Sequence, residues 1–68
     1  MLTLQDITLL LSNNATVEIS KYDADLNLED EYYGTLPIPG PRMKYEVVRI
    51  HPLFNTVKKE PYLHIECR

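Results

Sequence analysis

Asp23, Asp25, Asn27 and Glu29 stand at alternate positions of a 68-residue chain. Oxygen ligands at that spacing open a calcium-binding loop. Such a loop also needs glycine at its sixth position and a bidentate glutamate at its twelfth. Here those positions hold Leu28 and Gly34, so the segment reads as a solvated acidic turn. The soft ligands are His51, His64 and Cys67. His64 and Cys67 are three apart on an expected strand and therefore face opposite sides of a sheet, which cannot ligate one ion from one chain.

Acid–base and nucleophilic chemistry find equally little support. Glu29, Asp30 and Glu31 are adjacent in a polar stretch, whereas a catalytic carboxyl pair needs one member in an apolar setting that raises its pKa. Cys67 falls on the apolar face of its strand, where burial raises a thiol pKa and makes it inert. Gly34 and Gly40 fit no phosphate-cradling loop. The expectation is a protein without enzyme activity, cofactor or metal.

Surface recognition is the remaining chemistry. Tyr32 and Tyr33 adjoin the acidic triplet, and tyrosines supply rigid contact area to a protein partner. Glu29, Asp30, Glu31, Tyr32 and Tyr33 are therefore the candidate protein-binding residues, suited to a basic surface. Strand alternation offers a plainer account, with one tyrosine facing the core and the other solvent. A second candidate site is basic: Arg42, Lys44 and Arg49, with Lys58 and Lys59 nearby, would hold a phosphate-bearing small molecule if these side chains converge.

The elements that must position these groups follow from periodicity. Thr3 suits a helix N-cap, with Asp6 in the place of the capping-box acid and Leu2 and Ile7 placed as a hydrophobic staple. Leu4, Ile7, Leu10 and Leu11 form one apolar stripe, ended by Ser12, Asn13 and Asn14. A helix that short must pack on a sheet. Residues 15–22 alternate as a half-buried strand, and Asp23, Ala24 and Asp25 form the turn after it. Residues 26–36 fit either a long bent hairpin partner or a loop followed by a short strand. The second fits better, with Gly34 at a bulge or a close backbone approach.

Pro37, Pro39, Gly40 and Pro41 break the chain, with Ile38 anchoring that loop to the core. Residues 42–51 then read as the strongest strand, apolar on both faces, hence central in the sheet or meeting a second subunit. His51-Pro52 should end it. Leu53 and Phe54 should fold back on the core, and Asn55 should make a turn. The last strand, residues 62–67, turns Leu63, Ile65 and Cys67 inward and Tyr62, His64 and Glu66 outward. The expected fold is a single α+β domain, one short N-terminal helix packed on a three- to four-stranded, mainly antiparallel sheet.

Length and charge bound the rest. A chain this small buries only about 60% of its unfolded surface. With one cysteine it forms no internal disulfide, so its stability must come from very regular local structure or from self-association. A homodimer is the expectation. The net charge of −3 is unevenly spread: seven acids and one base occupy residues 1–41, and six bases and three acids occupy 42–68. Net acidity argues against direct nucleic-acid binding. No run of about 20 apolar residues predicts a membrane span, and no signal-peptide pattern opens the sequence. With the unpaired cysteine, these features lead us to expect a cytoplasmic protein.

The order of these pieces resembles short accessory proteins of phages and prophages of Gram-positive bacteria. The pieces are the leucine-rich segment Leu4 to Leu11, Val17-Glu18-Ile19, Tyr33-Gly34, Tyr45-Glu46-Val47-Val48-Arg49-Ile50 and Leu63-His64-Ile65. The proline-rich loop and residues 51–61 depart from that pattern. The resemblance implies no activity and no site residue. It implies a setting, in which small viral proteins bind and block a host or anti-phage defence protein. The leading expectation is thus a non-enzymatic protein-binding module. The alternatives are an oligomeric protein that sequesters a nucleotide-type small molecule, and a structural or regulatory subunit of a larger assembly.

Overall fold

The computed structural model describes residues 1–12, 14–38 and 40–68. It contains helix α1 (Leu4–Thr8), strands β1 (Thr16–Tyr22) and β2 (Leu28–Thr35), a 3-10 helix (Gly40–Lys44), and strands β3 (Val47–Asn55) and β4 (Glu60–Cys67). The four strands form one sheet in the order β2-β1-β4-β3. Two antiparallel hairpins, β1–β2 and β3–β4, join through a parallel β1–β4 pair at the centre. The fold is α+β and its sheet is mostly antiparallel.

The helix start follows its sequence signals. Thr3 Oγ1 accepts the Asp6 N–H at 3.4 Å, and Asp6 Oδ2 accepts the Thr3 N–H at 2.9 Å. Aspartate, shorter than the usual glutamate, still completes the capping box. The helix ends earlier than its apolar stripe. Leu10 and Leu11 donate to Ile7 and Thr8 in a tightened last turn, and Leu10 is exposed. Two backbone bonds, Leu4 N–H to the Tyr45 carbonyl and Val47 N–H to the Leu2 carbonyl, fix the helix start beside the start of β3.

Among the described residues, the buried apolar side chains lie on the helix side of the sheet. Leu4 and Ile7 from the helix meet Val17 and Ile19 of β1, Ile65 and Cys67 of β4, and Leu36 and Ile38 of the crossover. Ile38 thus anchors its loop as its position between prolines suggests; Pro39 lies outside the described residues, as does Asn13 at the helix end. β4 alternates as expected.

Three elements differ from the sequence expectation. Residues 28–35 form a full strand paired with β1, longer than the short strand expected, and the loop before it is confined to residues 23–27. Alternating exposure lets Glu29 and Glu31 face solvent along a sheet edge, where charge is tolerated, while Asp30 is half-buried. The hairpin's bulge lies at Lys21/Tyr22, and the close approach at Gly34 is made by a side chain: a Cβ there would lie 2.7 Å from the Tyr32 hydroxyl.

Residues 42–44 belong to the 3-10 helix, for which Gly40-Pro41 supplies a favourable start, and the strand begins only at Val47. That strand is an edge, not a centre, and it runs through Pro52 to Asn55 because an edge strand tolerates a missing donor. Its two apolar faces arise from a bulge between Val47 and Arg49, which makes Val48 an extra residue. Leu53 and Phe54 continue the strand and stay exposed, so they do not fold back on the core. Asn55 does make the following turn, its Oδ1 accepting from the Val57 and Lys58 N–H groups.

Candidate functional site

The helix and crossover cover one face of the sheet; among the described residues no element packs over the other. Alternation places two rows of side chains across that uncovered face. One row is Tyr33, Glu18, His64 and His51, on β2, β1, β4 and β3 in turn, and the next is Glu31, Ser20, Glu66 and Arg49. These eight residues hold three carboxylates and one guanidinium.

Contacts within the rows fix their geometry. Tyr33 packs edge-on to Tyr62, ring centroids 5.6 Å apart, with Lys58 Nζ 5.0 Å from its own centroid. Its hydroxyl accepts a 3.0 Å bond from Asn55 Nδ2. His51 and His64 face each other directly across β3–β4 with ring centroids 6.0 Å apart. Glu66 lies 3.7 Å from both Arg49 and His51, and Glu18 lies 3.8 Å from His64. Ser20 is buried, and its Oγ lies 3.0 Å from His64 Nε2, one donating to the other according to the imidazole tautomer.

A serine beside a histidine and a glutamate raises the question of nucleophilic catalysis. In a catalytic triad the carboxylate holds the imidazole nitrogen opposite the one that faces the nucleophile. Here Glu18 and Ser20 both approach Nε2, so the carboxylate competes with the hydroxyl and does not orient the ring. The contact satisfies a buried hydroxyl. Among the described residues, no group of three or more His, Cys, Asp or Glu side chains could hold a metal ion. The calcium-like segment turns its first carboxylate on itself, with Asp23 Oδ1 accepting from the Asp25 and Asn27 N–H groups.

The five residues singled out as protein-binding are divided by the sheet. Glu31 and Tyr33 lie on the uncovered face. Asp30 and Tyr32 lie on the helix side, and Glu29 pairs with Lys21 at 2.6 Å. Asp30 is half-buried and holds three bonds: Arg42 Nε at 2.7 Å, Arg42 Nη2 at 3.1 Å and the Tyr45 hydroxyl at 2.8 Å. The Arg42 bonds, then the Tyr45 bond, hold its carboxyl below the usual carboxylate range. Tyr32 donates to the Thr35 carbonyl at 3.1 Å, and Arg42 stands over its ring.

The basic candidates do not converge. Arg42 is bound to Asp30 on the helix side, Lys44 is exposed at the end of the 3-10 helix, and Arg49 lies beside Glu66 on the opposite face. Arg49 instead borders a wide, open concavity of about 960 Å³ at one end of the sheet, where Lys21, Leu26, Val48 and Arg68 also contribute. Compared with known proteins, the chain matches no family model, no curated protein and no solved structure.

The Asp30 geometry carries a pH prediction. A carboxyl held lower in the folded state stabilises the fold above its unfolded pKa of about 4, and loses that contribution as pH falls through the folded value. Thermal melts of the wild type should fall steeply on acidification in that window. Asp30→Asn should melt lower at neutral pH and show a flatter acid limb.

Proposed function

We propose that the chain is a non-enzymatic protein-binding module that docks a basic protein surface on the uncovered face of its sheet. The observation that supports this is the face itself: Tyr33 and Tyr62 are held against each other in fixed positions, and the adjoining rows carry more carboxylates than cations. Pre-positioned aromatic rings bind at small entropic cost, and the surrounding carboxylates select partners of opposite charge. The same carboxylates oppose phosphate, and so oppose a nucleic-acid partner. In the setting implied by the phage resemblance, docking blocks a host or anti-phage defence protein. The sequestering alternative required Arg42, Lys44 and Arg49 to converge, and no observation favours it over docking.

The test is site-specific photo-crosslinking in host cells. A crosslinking residue placed at Glu31 or Tyr33 should capture one protein that the same residue at Gln5, on the helix, does not capture. With that partner purified, Tyr33→Ala should weaken binding by roughly 30-fold, the size of an aromatic hot spot. Unchanged affinity in Tyr33→Ala, Tyr62→Ala and Glu31→Lys alike would rule the face out.

A further inference from the structure

Four large apolar side chains of β3 stand in solvent: Val48, Ile50, Leu53 and Phe54 are 45%, 38%, 43% and 58% exposed. β3 is also an edge, so one side of its backbone has no strand beside it. Edges left in water are normally blunted by charge, by bulges or by proline. The opposite edge, β2, carries Glu29, Asp30 and Glu31. β3 holds no lysine and no acid, and its one guanidinium, Arg49, stands beside Glu66 of β4; its other devices are a bulge at its start and Pro52. A nine-residue edge in which six residues are apolar and a single side chain carries a fixed charge is built to be covered.

We propose that this edge pairs with β3 of a second copy, antiparallel about a two-fold axis at His51, giving a continuous eight-stranded sheet. Self-pairing in that register sets Val48 against Phe54 and Ile50 against Pro52 across the axis. Arg49 meets Leu53, so no like charges oppose each other. Pro52 offers no N–H, and the rungs around it carry the ladder.

The length of the edge suits a second copy. A strand of this length spans about 30 Å, close to the 34 Å long axis of the molecule. A standard interface of about 800 Å² per partner would take roughly one-sixth of the chain's 4753 Å². The alternative pairing, β3 on the acidic β2 edge of another copy, leaves free edges at both ends and grows into a filament. Pairing β3 with itself closes after two copies and leaves only the charged edges outside. This inference stands apart from the docking proposal, since the uncovered face remains open in the dimer.

Sedimentation equilibrium of the full chain tests it. At roughly 0.1 mM the wild type should sediment at twice the 7.9 kDa chain mass. Phe54→Glu, counted twice by symmetry, should raise the dimer Kd by about 100-fold. Leu53→Lys, on the other face of β3, guards against a folding defect in Phe54→Glu, and circular dichroism checks both. Leu28→Glu on the β2 edge should remain dimeric. His51→Cys should form a disulfide-linked dimer under mild oxidation, because directly opposed residues lie within disulfide reach. A single-chain mass, open-ended polymers, dissociation by Leu28→Glu with Phe54→Glu unaffected, or no crosslink at His51→Cys would each overturn the proposal.

Discussion

Ile65→Ala removes about half of the chain's stability and lowers its urea midpoint in proportion: that is the expected result of the most damaging conservative substitution. Ile65 has no exposed surface and sits in β4, with Ile19 of β1 opposite on one side and Ile50 of β3 on the other. Removing its outer carbons costs about 2–5 kcal/mol, because the transfer loss is joined by a cavity that a sheet cannot collapse. A chain of 68 residues has only about 3–10 kcal/mol of total stability to lose. Urea titration followed by circular dichroism, at one fixed protein concentration, measures the difference. Leu10→Ala, at an exposed site just beyond the helix, should leave the midpoint within experimental error. A wild-type midpoint for Ile65→Ala would mean that the core is not centred on β1 and β4.

The second large effect is alkaline. Cys67 is buried, and loss of solvent pushes its thiol up to about 11. At pH 8 the folded protein then holds about two orders of magnitude less thiolate than an ordinary cysteine of pKa near 8.5. An aromatic disulfide reagent should therefore label native Cys67 at least about 100-fold more slowly than the urea-unfolded chain. Stability follows the same sign. The folded state keeps its proton between the unfolded and folded pKa values, so the unfolded state is favoured as pH rises. The contribution is whole below pH 8.5, falls through the window up to about 11, and amounts to about 3 kcal/mol in all. Cys67→Ala should remove that slope while costing some packing. Equal labelling rates for native and unfolded chains would contradict the burial.

The elements legible in the sequence are those fixed by near neighbours. The Thr3–Asp6 cap, the alternation of residues 15–22 and 62–67, the Asn55 turn and the Ile38 anchor depend on residues a few positions apart. What the sequence hid depends on who lies beside whom. Asp30 reads as one of three solvated acids until Arg42 and Tyr45 arrive from beyond the crossover. His51-Pro52 reads as a stop because proline cannot serve a central strand; only edge placement lets β3 continue. Glu29, Asp30 and Glu31 interrupt a pattern that Lys21 and Arg42 neutralise from other elements. The uncovered face was half visible, since alternation sends His64 outward and separates Tyr32 from Tyr33. Its rows were not, because no local signal says that the first and last strands run side by side.

That parallel pair at the centre governs how a nascent chain can acquire this shape. During synthesis the hairpin of residues 16–35 emerges well before residues 60–67 exist, and its inner flank, with Val17 and Ile19, has nothing to lie against. Ser20 and His64, in contact in the finished molecule, are 44 positions apart. Closing so wide a separation is slow compared with forming either hairpin alone. Folding is therefore withheld until β4 is released, and it then proceeds as one event, with the first hairpin waiting on the eight residues of β4.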